Sequence, residues 1–120
     1  MKNIPDNVNN AIQEFVSGVN ELLEERVKKI VLYGSYARGD YNDSSDIDIM
    51  ILTDLTDEEI IQYRDEVVSI AYDIEWDNNF DITISPLLKN IDKFNYWLEA
   101  MPFYMNVQKE GVVLSESKNI

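Results

Sequence analysis

Ile30-Val31-Leu32-Tyr33-Gly34-Ser35-Tyr36-Ala37-Arg38-Gly39-Asp40-Tyr41-Asn42-Asp43-Ser44-Ser45-Asp46-Ile47-Asp48-Ile49-Met50-Ile51-Leu52 is an apolar run, a polar break, and a second apolar run that opens with acids. Such a pattern predicts a strand, a turn, a short connection and another strand. Alternate residues of a strand share a face, so Asp46 and Asp48 lie together, roughly 6.6 Å apart along it, with Ile47, Ile49 and Ile51 opposite. Two carboxylates this close repel each other and call for water, donors or a cation. Mg²⁺ suits them, because it takes oxygen ligands and needs only one or two carboxylates beside substrate phosphates and water.

Upstream of the acids, Gly34 lacks a side chain and lets a phosphate approach the backbone. Ser35 offers a hydroxyl and an amide, and a short helix beginning at residues 35–38 would turn its N-terminus toward an anion. Arg38 falls within one turn of it. An anion cradle followed by metal-binding acids is the equipment of phosphoryl and nucleotidyl transfer, which rests mostly on positioning and charge neutralisation. The string Gly34-Ser35, ten intervening residues, then Asp46-Ile47-Asp48 resembles the signature of the polymerase-beta-type nucleotidyltransferase superfamily. In its fuller form, Gly34-Ser35-Tyr36-Ala37-Arg38-Gly39 with Ser45-Asp46-Ile47-Asp48-Ile49, it is similar to the minimal nucleotidyltransferases, small proteins often paired with a HEPN-domain toxin.

Working outward, Pro5 with Asp6 or Asn7 suits a helix start, and Val8, Ala11, Ile12, Phe15, Val16, Val19, Leu22, Leu23 and Val27 recur at helical spacing, predicting a helix to about Arg26. Gly18 interrupts that stripe and points to close packing or a slight bend. Ile30–Tyr33 and Asp46–Thr53 are the two strands, and Asp40 and Asp43 between them read as loop acids. Thr56 and Glu59 match a capping box opening a helix over about 57–75, with Ile60, Ile61, Val67, Val68, Ile70, Ala71 and Ile74 expected inside.

Residues 80–85 then alternate, Phe80, Ile82 and Ile84 against Asp81, Thr83 and Ser85, which predicts a third strand beginning at Phe80. If it neighbours the second strand, Asp81 joins Asp46 and Asp48 on one wet face. The resemblance implies a third acid on such a strand, ligating metal and helping to deprotonate the attacking hydroxyl; Asp81 fits better than Asp73 or Asp77. Ser85-Pro86 suggests a helix start, with a short turn or loop to Ile91. Residues 94–107 are rich in aromatics and broken by Pro102, and read as core or as a partner-binding face. Gly111 reads as a helix end before a last strand at 112–114.

The chain is 120 residues long, 45% apolar and 28% charged, which predicts one domain over 1–120 with frayed ends, and an acceptor-binding module supplied by another chain. Its net charge of −13, without a basic patch, argues against extended nucleic-acid binding, and suggests either simple solubility or an acidic face for a basic protein. There is no cysteine and no histidine, so thiol catalysis, disulfides and thiolate metal sites are excluded. No apolar run approaches a membrane span and no leader is visible, which makes the cytoplasm the default and a membrane role unexpected. The dinucleotide fingerprint and the Walker loop are absent.

The expected fold is α+β, a two-layer domain with a mixed sheet of about four strands backed by helices, like the nucleotidyltransferase palm. What the resemblance implies is transfer of AMP from ATP to a hydroxyl. Gly34 and Ser35 would bind the phosphates and Arg38 would neutralise the leaving group. Asp46, Asp48 and Asp81 would hold two Mg²⁺ roughly 4 Å apart. The acceptor it suggests is a tyrosine of a HEPN ribonuclease toxin, silenced by the modification. Neutralisation by binding alone, or transfer to a small molecule such as an aminoglycoside, are the competing expectations.

Overall fold

The computed structural model describes residues 3–117; the expected fraying of the outermost residues lies outside them. Helix α1 (Asp6–Leu23) and a 3-10 turn (Glu24–Arg26) lead into β1 (Val27–Tyr33). The helical turn α2 (Ser35–Arg38) and a loop then deliver β2 (Ile47–Thr53). Helix α3 (Asp57–Asp77), β3 (Ile84–Asn90), α4 (Ile91–Trp97), α5 (Pro102–Glu110) and β4 (Val112–Glu116) complete the order.

The strands form one mixed sheet in the order β3-β2-β1-β4. β1 runs antiparallel to β2 and β4, while β2 and β3 are parallel. One face buries Ile30, Leu32, Ile47, Ile49 and Ile51 under α1 and α3, with Ile12, Phe15 and Val19 from the first helix and Val67, Ala71 and Ile74 from the other. Each large side chain removed from water here contributes about 1.5–3 kcal/mol. Gly18 faces Ile70 of α3, and even a methyl group there would press into that side chain, so the glycine serves close helix packing.

Helix α3 begins as its sequence predicts. Thr56 Oγ1 accepts the Glu59 amide at 3.2 Å and the Glu59 carboxylate accepts the Thr56 amide at 3.0 Å. Arg26 donates twice to the same carboxylate, at 3.0 and 2.9 Å, and also to Asp54. These bonds, with that of Arg26 first, hold the Glu59 carboxyl down at about 2.

The opposite face is covered by the two short helices near the end of the chain. Val31, Met50 and Leu52 pack there with Phe94 of α4 and Val107 of α5. Gly111 closes α5, its amide donating to the Val107 carbonyl at 2.8 Å, in an extended rather than left-handed conformation. A side chain at Gly111 would collide with that carbonyl and with Val31, so glycine lets α5 lie down on the sheet.

Three expectations need correction. The third strand starts at Ile84, not Phe80, and runs on to Asn90 in place of the expected turn or loop. Asn79 and Phe80 take positive φ values of 56° and 58°, and the Phe80 and Asp81 amides bond back to Glu75 and Asn78. The chain is therefore still turning off α3 where alternation suggested a strand, and Phe80 is exposed. Pro86 is tolerated because β3 is an edge strand, where a residue without an N–H loses no ladder bond if that position faces outward. Finally, Ile61 and Val68 are exposed, not core, because the sheet takes only one face of α3. The aromatic segment divides: Phe94 and Val107 are buried, whereas Tyr96, Trp97, Met101, Phe103 and Met105 are exposed.

Candidate active site

The site begins where β1 stops. Gly34 adopts φ 77° and its carbonyl accepts the amides of Ala37 at 3.1 Å and Arg38 at 3.0 Å, which starts α2. The amides of Ser35 and Tyr36 precede the first of these bonds and are the orphan donors of a helical turn. Gly39, at φ 90°, ends the turn and the loop returns the chain to β2.

Register then fixes the neighbours. Tyr33 pairs with Asp48 across the antiparallel strands. A side chain on Gly34 would run into the Asp48 carboxylate, so the space the glycine leaves is occupied by this acid. Gly34 thus admits Asp48 to the cradle as well as freeing the backbone turn. Asp46, just before β2, is exposed, Asp48 is half-buried, and Ile47 between them is buried on the other face, as alternation predicts.

Burial first, and then the charge of Asp46, raise the Asp48 carboxyl above its ordinary range, against a smaller opposing effect of Arg38. Burial and Asp48 together push the Tyr33 hydroxyl up to about 12, so it stays protonated. Arg38 is tethered rather than free: its Nε donates to Asp40 at 3.2 Å and its guanidinium also donates to Glu110 of α5 at 3.4 Å. Asp40 is therefore more than a solvated loop acid.

Gly34, Ser35, Arg38 and Asp48 line one cavity of about 450 Å³ with Tyr33, and its far wall is α5, through Phe103, Asn106, Val107 and Glu110. Tyr33 and Phe103 meet edge to face at 5.6 Å. Reading the chain locally missed this wall. The aromatic richness of 94–107 was its only trace.

Asp81 is placed differently from the other acids. The parallel ladder sets Asp48 beside Ser85, and its last outer bond runs from the Ile47 amide to the Thr83 carbonyl at 2.8 Å. Asp81 lies two residues beyond that, exposed, in the bend rather than on the strand. Glu75 anchors the bend by accepting the Ile84 amide at 2.8 Å. Among the described residues no three acidic, histidine or cysteine side chains are grouped as a metal cage. No described helix is long and apolar enough to cross a membrane.

Known proteins resemble the chain in sequence and in fold. Two proteins of Methanocaldococcus jannaschii named "putative protein adenylyltransferase" are similar in sequence. One is 34% identical over 90% of this chain and 98% of its own, and the second is 32% identical over 64% and 74%. Among solved structures, a toxin-antitoxin crystallised with AMP-PNP superposes with a TM-score of 0.55 at 19% identity, over 96% of this chain and 77% of that one. A mutant of the MntA-HpeT toxin-antitoxin gives 0.53 at 18%, over 92% and 74%. Likeness at these identities speaks for the fold. Residues 12–110 match the family described as the nucleotidyltransferase domain. Because that match spans the cradle, the Asp46 and Asp48 pair and the α5 wall, the chain belongs to the nucleotidyltransferase domain family.

Proposed function

We propose that this nucleotidyltransferase moves AMP from ATP to a tyrosine hydroxyl of a HEPN-domain ribonuclease toxin and thereby acts as its antitoxin. The observation that carries the reading is the Asp48 carboxylate lodged against the Gly34 turn, which brings metal-binding acid and phosphate cradle into one cleft. The sequence relatives named for protein adenylyl transfer and the toxin-antitoxin folds support the acceptor class.

The donor set suits Mg²⁺. Asp46 and Asp48 present carboxylates on one face, their mutual repulsion favours a cation, and the open cleft leaves room for phosphate and water ligands. Bound there, two such ions would supply charge neutralisation. Ser35 and the first amides of α2 hold the phosphate tail, and Arg38 offsets charge that builds on pyrophosphate as it leaves. The tyrosine oxygen bonds to the α-phosphorus while the α–β bridge breaks, and pyrophosphate departs with that bond's electrons. Asp81, exposed in the bend before β3, is assigned the phenolic proton and completion of the metal set.

The reading expects a HEPN-domain protein to be encoded beside this chain, and the test is the intact mass of that protein after incubation with ATP and Mg²⁺, run against Asp46→Asn with Asp48→Asn; no such neighbour would already count against the acceptor. Whole AMP increments, absent from the double variant, are expected. A tight complex without any increment would overturn transfer in favour of blocking by binding. Asp81→Asn is expected to slow transfer at least tenfold while leaving ATP binding within about twofold; an unchanged rate would remove Asp81 from the site.

A further inference from the structure

Helix α3 is apolar on two faces. Its inner face packs on the sheet, while Ile61, Val68, Tyr72 and Trp76 stand 66, 50, 44 and 64% exposed along the outer one. Their spacings of seven, four and four residues place them on a single stripe. Phe80, 54% exposed, extends the stripe past the helix end. The last three are mutually packed: Trp76 meets Tyr72 at 6.5 Å and Phe80 at 5.8 Å, and Tyr72 meets Phe80 at 5.7 Å. A preassembled aromatic cluster in water has no folding role that burial would explain, and exposed patches of this kind mark protein contacts.

Two further observations identify the occupant. Asp65, Asp73 and Asp77 belong to the same helix, where Arg64 is the single basic residue, and the chain carries a net charge of −13. Like charge disfavours a second copy and favours a basic protein. The second observation is position. β2 and β3 are parallel, so the end of α3 that feeds β3 lies at the end of the sheet where Asp46 and Asp48 begin β2. A protein seated on the cluster is thus held beside the edge where transfer would occur.

We infer that the outer face of α3 docks the acceptor protein, a basic chain whose apolar side chains seat on Tyr72, Trp76 and Phe80 while its cations meet Asp73 and Asp77. This rests on the proposed transfer to a protein. It adds how a small domain holds a macromolecular acceptor.

The experiment uses the full chain and the HEPN-domain protein of the transfer test, with affinity measured by calorimetry and AMP transfer by intact mass. Val68→Ser with Trp76→Ala is expected to weaken binding at least tenfold and to raise the KM for the protein acceptor, with ATP binding and melting temperature unchanged. Asp73→Lys with Asp77→Lys, which leaves the apolar stripe intact, is expected to weaken binding at least threefold and to flatten its salt dependence. Wild-type affinity in both variants would overturn the inference. So would absence of binding by the wild-type chain, or a wild-type dimer that Val68→Ser with Trp76→Ala dissolves. Binding that both variants weaken, without any AMP increment from the wild type, would instead sustain the docking face and overturn transfer.

Discussion

Asp48, one of the acids of the proposed metal site, lowers stability where it stands ionised. Its folded pKa is raised, so its favourable contribution is complete below the ordinary carboxyl range and is lost as pH rises through the folded value. At neutral pH without metal, Asp48→Asn should therefore melt a few degrees higher than the wild type, and the gap should close below about pH 4, where both side chains are neutral. Added Mg²⁺ should stabilise the wild type and not the variant; an identical melting temperature throughout would show that the charge is not strained. Arg38 tells a related story. Its tie to Glu110 occupies the guanidinium that the proposed reaction assigns to phosphate, so on that proposal Glu110→Gln should tighten ATP binding about threefold or more in a titration. The sequence put Gly34 and Asp48 in one short segment but read the glycine only as room for a phosphate, and the contact with the Asp48 carboxylate came from the strand register. Glu110 was not legible, since nothing local announces that a residue 72 positions away from Arg38 will face it.

At the level of elements, α5 is the part that assembles the cleft, and it depends on how closely it lies on β1. Gly111→Ala should destabilise the protein by about 1–3 kcal/mol in denaturant unfolding, as overpacking does, and should weaken ATP binding because Phe103 and Asn106 lift away from the cleft. Destabilisation without any change in binding would detach α5 from the site. The misread elements share one cause. Periodicity says that α3 has apolar residues at helical spacing, but not which of two apolar faces the sheet will cover. Alternation over 80–85 set Phe80, Ile82 and Ile84 on one face, of which Ile82 and Ile84 are buried and Phe80 is not. It could not see that Asn79 and Phe80 would extend the turn off α3 and push the strand onward, carrying Asp81 outside the ladder.

Across the whole molecule, the surplus of acid sets the response to solvent. With 23 acids against 10 bases, self-repulsion opposes compaction and is screened within about 10 Å at 0.1 M salt. Raising sodium chloride from 0.02 to 0.3 M should raise the melting temperature, and a fall would mean that the surface ion pairs, such as Lys93 with Asp57, outweigh the net charge. The mixed sheet with helices was foreseeable from the order of its elements. Its last pairing was not. β4 returns to the far side of β1, with Val112 beside Leu32 and Glu116 beside Lys29, so β1 becomes an inner strand only when the final segment arrives. During synthesis, at roughly 5–20 residues per second, β1 waits on the order of ten seconds for that neighbour. Through that interval its unpaired edge is open to other nascent chains, and the five residues of β4 are what end the exposure.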